Sequence, residues 1–490
     1  MSNDVIVLLV IVLLIILLAF RTPVWLSLAT SGAVGLFLLR DEVFVTRTLA
    51  SAPFEQTSNF SLTIIPMFIL MGVFAVKARI AGQVFEVARR VFVRFPGGLG
   101  ISTVAACAGF AAVSGSSIGT AATMSRLSIA EMRKAGYPPS LAGALVAMAG
   151  TLGAMIPPSV FLVLYAILSG ESIAQMLAAG IVPGVLSALA YMVYIQFRTR
   201  GMQTITAGAP AKVHATTSSG AGSGTGSGAG AGSGAGAGSA TGSADVGTLP
   251  AELEAAAAQR HAPSRIPWGE LPYRGLVRLA ILFAIIMGGI YSGIFTPTES
   301  AAIGALAAAL MLVLEFRRDG ARTMGRQFVE ALKETAQTTS MVFAIIVGSA
   351  VLSLFFVVAR VPQNLSDALT GTDLPGWAIL AGLLLLLIPM GMALESISIL
   401  VITVPLIYPV ATEFGFDGVW LGILIVKLIE IGMVTPPVGI NVFVVAGTSG
   451  LRSSEVFRGV WPFVLIELAL VILLFAVPDI VLWLPSLAVE

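Results

Sequence analysis

Long apolar runs joined by short polar stretches divide the chain into two sets. The first set covers about 4–20, 23–39, 61–77, 140–168 and 174–197. The second covers about 275–293, 299–315, 336–358, 419–447 and 457–476. About 20 apolar residues in a helix cross the hydrocarbon core of a bilayer, so these runs predict membrane spans. Two more apolar stretches, 97–130 and 376–412, are broken up by Gly, Ser, Thr and Pro and predict re-entrant hairpins. The opening run, VIVLLVIVLLIILLAF, has neither a basic leader nor a small-residue cleavage site, so it predicts a first span, not a secretion signal. Inside 140–168 and 419–447 stand Pro157-Pro158 and Pro436-Pro437. Each proline removes a backbone donor and clashes with the preceding turn, which predicts a broken helix in each set.

The two sets are related. A shift of 279 residues, the separation of Pro157 from Pro436, also brings Gly136 onto Gly415, Gly143 onto Gly422 and Gly153 onto Gly432. Gly180 falls on Gly459, Pro183 on Pro462, and Ser117-Ile118 on Ser396-Ile397. So many coincidences at one offset argue for an internal duplication. The domain reading is a first repeat at 1–197, a Gly/Ala/Ser-rich linker at 198–272 and a second repeat at 273–490. The linker contains SSGAGSGTGSGAGAGSGAGAGSATGS and has nothing to bury; within it, AELEAAAAQR has some helical tendency.

Charge sets the orientation. With the N-terminus outside, 23 of the 27 Lys and Arg fall on the cytoplasmic side. Arg40, Arg47 and Arg360 fall outside, and Lys427 lies within a span. The opposite orientation would invert that ratio against the positive-inside rule. Both termini are then expected outside and the linker in the cytoplasm. Five spans and one hairpin per repeat make the second repeat inverted. Inverted repeats with paired broken helices predict a secondary transporter with sites near the midplane.

Composition agrees and excludes other classes. The chain is 57% hydrophobic and 11% charged, with mean hydropathy +0.96. That is a polytopic membrane protein, for which the bilayer is the expected partner and nucleic acid is not. The net charge of +1 discriminates nothing further. The single cysteine, Cys107, permits no internal disulfide. Both histidines, His214 and His261, lie in the linker, away from any site in the membrane. No phosphate-binding Gly-Lys loop appears, so no ATP site is expected.

Candidate chemistry gathers at the breaks and hairpins. In a continuous helix the amides of residues 157 and 158 would bond the carbonyls of Gly153 and Ala154. In the second repeat the same reasoning frees Gly432 and Met433. Exposed carbonyls at a half-helix C-terminus are hard oxygen ligands suited to a dehydrated Na⁺. The hairpin segments AVSGSSIGTAAT (112–123) and GMALESISILVIT (391–403) add hydroxyls, and the starts of their return helices favour an anion. Close helix packing would also explain such small residues. Four charges fall in apolar surroundings: Glu395, Lys427, Glu430 and Glu467. Lys427 and Glu430, three apart, are expected to pair, and Glu467 has no visible partner and could face another subunit. FEVARRVFVRF (85–95) reads as a basic amphipathic helix on the cytoplasmic surface or a connector.

Several motifs carry a family resemblance. In the first repeat they are GFAAVSGSSIGTAATM, EMRKAGYPPSLAGALVAMAGTLGAMIPPSV and AAGIVPGVL. In the second they are GIFTPTESAAIGA, SISILVITVPLIYPV and EIGMVTPPVGINVFV. The chain resembles the large, DctM-like membrane subunit of tripartite ATP-independent periplasmic (TRAP) transporters, over nearly everything outside the linker. The resemblance implies an all-α membrane protein with an inverted repeat, two re-entrant hairpins, two broken helices and an elevator-type ion-transporter fold. It further implies Na⁺-driven import of an organic acid across the bacterial inner membrane. The implied partners are a small four-helix Q subunit and a periplasmic solute-binding P protein. The implied first Na⁺ site matches Ser114, Ser117, Gly153, Ile156 and Pro157. The second matches Gly391, Gly432, Thr435 and, less closely, Val438. Ser116, Glu395 and Glu430 are candidates for the substrate. At Glu395 the family more often has Asp, and the long linker is no feature of the family. No extra four-span module is present at either end, so the small subunit is expected to be a separate chain.

Three other readings compete. A stand-alone Na⁺/carboxylate symporter would need no binding protein. A membrane hydrolase would use Ser114 or Ser117 as nucleophile, with Lys427 as the only conceivable base. A structural scaffold would have no need for matched breaks.

Overall fold

The computed structural model describes residues 2–20, 22–92, 94–200, 272–370 and 374–487. Of the expected linker, residues 201–271, including AELEAAAAQR, lie outside the described residues. The helices of the first repeat are α1 (Asn3–Ala19), α2 (Val24–Leu39), α3 (Glu42–Thr57), α4 (Phe60–Lys77), α5 (Ile80–Phe92), α6 (Gly98–Ser114) and α7 (Ser117–Met124). A π turn at Ser125–Ile129 leads into α8 (Ala130–Lys134). Then come α9 (Pro139–Met155), α10 (Val160–Ser169) and α11 (Ile173–Thr199). The second repeat holds α12 (Tyr273–Tyr291), α13 (Pro297–Phe316), α14 (Ala321–Val358), α15 (Val361–Thr370), α16 (Gly376–Ala393), α17 (Ser396–Glu413), α18 (Gly418–Gly432), α19 (Ile440–Ser449), α20 (Ser453–Ala476) and α21 (Asp479–Leu487). Among the described residues eight helices are long and apolar enough to cross a membrane, or nine if the bent pair α9/α10 is one span.

The duplication is visible in the elements. Adding 279 to Ser117 and Pro139, the first residues of α7 and α9, gives Ser396 and Gly418, the first residues of α17 and α18. Packing follows the same relation. α2 packs on α14 as α13 packs on α4, and α9 packs on α20 as α18 packs on α11. Two elements depart from the apolar pattern. The polar stretch 42–57 forms α3, started by Asp41, whose carboxylate accepts from the Phe44 amide. The expected span 336–358 is the end of the 38-residue α14. Its polar first half is tied to α4 by Lys77, which reaches Glu330 and Glu334 at 3.7 and 3.5 Å.

Local chemistry explains the breaks. α9 starts with Pro139 at its first position, where no amide is needed. It stops at Met155 because Pro157 and Pro158 cannot donate, and Ile156 turns extended (φ −76°, ψ 119°). Ser159 caps α10 by accepting from the Leu162 amide, and the two halves are bent by 43°. α18 is capped by Asp417, which accepts from the Trp420 amide at 2.8 Å, and it ends at Gly432. Both Pro-Pro bonds, 157-158 and 436-437, are cis.

Each hairpin turns within two residues. In the first, Gly115 is left-handed (φ +57°), and a Cβ there would meet the Pro158 carbonyl oxygen at 2.9 Å, so glycine is required twice over. Ser116 then caps α7, accepting from the Gly119 amide at 3.2 Å. The second hairpin turns through Leu394 and Glu395, both extended, with no cap bond from the Glu395 side chain.

The segment expected to lie on the membrane surface forms α5. It packs on α6 and α12, burying Ile80, Val84 and Phe85 inside the protein, so its role is that of a connector between the spans and the first hairpin.

Candidate functional site

The hairpin tips and the helix breaks meet. A Cβ on Gly153 would lie 2.6 Å from the Ser116 carbonyl oxygen and 3.1 Å from the Ser117 nitrogen. The first hairpin tip therefore rests directly on the end of α9. In the second repeat, a Cβ on Gly391 would lie 2.8 Å from the Gly432 Cα, and one on Gly432 would lie 2.6 Å from the Gly391 Cα. Here two backbones touch where any side chain would separate them. Glycine at these matched positions is demanded by tertiary contact, not by backbone conformation.

The four carbonyls expected to be free behave differently. Ala154 is taken by the Ser159 hydroxyl, which donates to it at 2.5 Å. Gly432 accepts from the Thr435 amide at 3.0 Å, and Met433 from the Asn441 amide at 3.2 Å. These three are corrections to the proline argument: a short turn and a returning amide replace the missing helix donors. Among the described residues nothing donates to the Gly153 carbonyl. In the first hairpin, Ser114 Oγ and Thr120 Oγ1 share a hydrogen bond at 2.7 Å. Ile156 and Pro157 follow directly at the break, with Ile156 buried. Thr435 is buried and its hydroxyl donates to the Ile431 carbonyl at 2.6 Å. Val438 is 40% exposed and lies outside the buried cluster. Among the described residues no three His, Cys, Asp or Glu side chains come together.

The centre of the arrangement is Glu430. Ser117 Oγ donates to its Oε1 at 3.3 Å, and Ser396 Oγ donates to the same oxygen at 3.1 Å. Ser117 and Ser396 are the repeat-related first residues of the two return helices. Ser396 also touches the Met433 sulfur. Glu430 Oε2 is buried without a hydrogen-bond partner. Ser116 and Glu395 stand at the two tips, both partly exposed.

The expected Lys427–Glu430 pair does not form. Lys427 Nζ instead reaches Glu467 Oε2 at 2.7 Å and also bonds Ser187 Oγ. Tyr191 donates to the other oxygen of Glu467 at 2.5 Å. Glu467 thus has a partner inside the chain, and the idea that it faces another subunit is corrected. A three-residue helical spacing permits the Lys427–Glu430 pair, but the side chains point to different neighbours: α20 and α11 for Lys427, the two hairpins for Glu430. The hydrolase reading fails here too, because Lys427 is engaged with Glu467 and Ser187 and with neither Ser114 nor Ser117. Sequence reasoning missed Ser187, Tyr191 and the convergence on Glu430. The last had a signal, since Ser117 and Ser396 coincide at the repeat offset.

Comparison with known proteins decides the family. The family model described as "Tripartite ATP-independent periplasmic transporter, DctM component" matches residues 11–480. The chain belongs to this family. It is similar to the C4-dicarboxylate TRAP transporter large permease protein DctM of Pseudomonas aeruginosa, with 31% identity over 94% of each chain. It is also similar to the sialic acid TRAP transporter large permease protein SiaM of Vibrio cholerae, with 31% identity over 88% of this chain and 87% of that one. Among solved structures, the Alcanivorax borkumensis YdaH transporter matches with a TM-score of 0.55 and 13% identity over 89% of each chain. That likeness concerns the fold alone. A TRAP large permease is a multi-pass membrane transport subunit of bacteria and not an enzyme.

Proposed function

We propose that this chain is the large permease of a TRAP transporter that imports an organic acid, driven by an inward Na⁺ gradient. The hairpins and broken helices move together as the transported unit, in an elevator mechanism. The substrate is a carboxylate delivered by a periplasmic solute-binding protein, and a small four-helix subunit completes the membrane assembly. Curated relatives named for C4-dicarboxylate and sialic acid transport support the substrate class. The assembly sits in the inner membrane, with both termini periplasmic and the Gly-rich linker cytoplasmic, as the Lys and Arg distribution favours.

One observation carries the ion coupling. Among the described residues the Gly153 carbonyl has no hydrogen-bond donor, and the Ser116–Ser117 backbone at the tip of the first hairpin lies against the Gly153 α-carbon. Ser114, Ser117, Gly153, Ile156 and Pro157 form the first Na⁺ site. Gly391, Gly432 and Thr435, with Val438 at the edge, form the second. A hydroxyl that donates to one oxygen keeps lone pairs for an ion, so the bonds of Ser117 and Thr435 leave both competent as ligands. Likewise the Gly432 carbonyl, bonded once, keeps a second lone pair.

The test is uptake into proteoliposomes holding this chain, its small subunit and a loaded binding protein. Substrate is expected to accumulate only under an inward Na⁺ gradient. Uptake undiminished without Na⁺ would refute the coupling. Full uptake without the binding protein would favour a stand-alone symporter.

A further inference from the structure

We propose that Glu430 is a positioning residue for both ion sites, a single carboxylate that supplies negative charge to the two hairpins through Ser117 and Ser396. The inference rests on the Na⁺ reading above and assigns Glu430 to the ions, not to the substrate.

The two hydroxyls occupy repeat-related positions and converge on one oxygen, at 3.3 and 3.1 Å. The repeat offers no second carboxylate. The position related to Glu430 in the first half is Thr151, whose hydroxyl donates to the Met148 carbonyl. One anion from the second half therefore serves both halves.

Glu430 is 3% exposed and, among the described residues, makes no ion pair with Lys427. That ammonium is held by Glu467 and Ser187. A buried carboxylate with two hydroxyl donors on one oxygen and none on the other retains its need for positive charge nearby. The cavity beside it, walled in part by Thr151, Lys427, Glu430 and Glu467, has a volume of about 10 Å³. That is room for about one water and not for a hydrated cation. A cation at the neighbouring sites would supply that charge. Ser117 is itself a ligand of the first site, and Gly432 of the second lies two residues beyond Glu430 on the same strand of backbone.

At the first site the physical link is polarisation of Ser117; at the second, where Ser396 is no ligand, its bond to Glu430 holds the hairpin that carries Gly391 against the helix end that carries Gly432. A hydroxyl that donates to a carboxylate gains electron density on its oxygen and becomes a better ligand for a cation, and the cation strengthens the donation in return. Groups that orient metal ligands in this way change metal affinity by about 10–100-fold when removed. Glutamine at 430 keeps an acceptor oxygen for both serines and removes only the charge.

The experiment is a Na⁺ titration of thermal protection on the purified full chain in detergent, with choline as the control cation. Glu430→Gln is expected to raise the Na⁺ concentration at half-protection by about 10–100-fold. Glu430→Asp, which keeps the charge, should recover most of the loss. Adding Ser117→Ala to Glu430→Gln should weaken Na⁺ binding further, since Ser117 is itself a ligand, but by less than Ser117→Ala does in the wild type, because part of its effect passes through Glu430. An unchanged Na⁺ midpoint in Glu430→Gln overturns the inference. Should that variant not fold, Ser396→Ala carries the test. Ser396 is not an ion ligand, so its loss raises the midpoint only through Glu430, and an unchanged midpoint overturns the inference. A wild-type chain that Na⁺ does not protect would overturn the ion coupling itself. An unchanged Glu430→Gln midpoint in a chain that Na⁺ does protect would overturn this role alone.

Discussion

Replacing Lys427 by Met should destabilise the chain by about 3 kcal/mol or more, at the lower end of the range for breaking a buried ion pair. Lys427 and Glu467 are each about 4% exposed at the side chain and 2.7 Å apart. Their gross attraction at that distance is about 6 kcal/mol for an effective dielectric near 20. Most of it is offset by the cost of removing two charges from water. Removing only the lysine leaves that cost standing for Glu467 without the attraction. The Tyr191 hydroxyl, 2.5 Å from the other oxygen, remains and limits the loss. The Ser187 hydroxyl can turn to the carbonyl one helical turn back, so it adds little. Removing the whole polar group should behave differently. Lys427→Met with Glu467→Leu and Tyr191→Phe removes both members of the ion pair and the tyrosine hydroxyl together, and should lie within about 2 kcal/mol of the wild type. Equilibrium denaturant unfolding of the three forms in detergent would measure this. A single variant costing less than about 1 kcal/mol, or a triple variant as unstable as the single, would refute the reasoning.

Three further outcomes follow from the geometry. Gly432→Ala should cost about 1–3 kcal/mol, because its Cβ would sit 2.6 Å from the Gly391 Cα, whereas Gly382→Ala, with open space around it, should be neutral or stabilising by up to about 1 kcal/mol; equal thermal unfolding midpoints for the two would contradict the contact. Thr435→Val removes a hydroxyl that serves its own helix turn, so unfolding should change by less than about 1.5 kcal/mol while the Na⁺ requirement for uptake rises; an unaltered Na⁺ dependence would strike Thr435 from the ligands. Arg360→Gly should raise stability by about 1 kcal/mol by relieving its left-handed backbone (φ +56°), and Arg79→Gly should gain less because Arg79 also lies over the Phe316 ring at 4.9 Å; a lower melting temperature for Arg360→Gly would count against strain at that joint.

Much of the architecture is local and periodic, and so it could be read from the chain. Apolar runs of bilayer length, Gly/Ser-rich interruptions and two Pro-Pro pairs at one offset specify spans, hairpins and breaks without reference to any partner. Proline acts on its own helix, so the ends of α9 and α18 follow from residues 157–158 and 436–437 alone. Helix propensity and capping carried less warning of α3 and the long α14, because amphipathic polar stretches lack an apolar signal until something packs on them. At the site, the sequence determined which residues stand at the tips and breaks, Ser114, Ser117, Gly153, Gly391, Gly432 and Thr435 among them. Only the tertiary structure decided what those residues do with their bonds. Three of the four carbonyls that proline should have freed are satisfied by a nearby hydroxyl or amide, and among the described residues only that of Gly153 stays open. Lys427 turns from Glu430, three residues away, to Glu467, forty residues on, and Ser117 meets a carboxylate 313 residues away. The reason is physical: proline and hydropathy act within a turn or a span, whereas a buried charge takes whatever partner the packing of other helices brings to it.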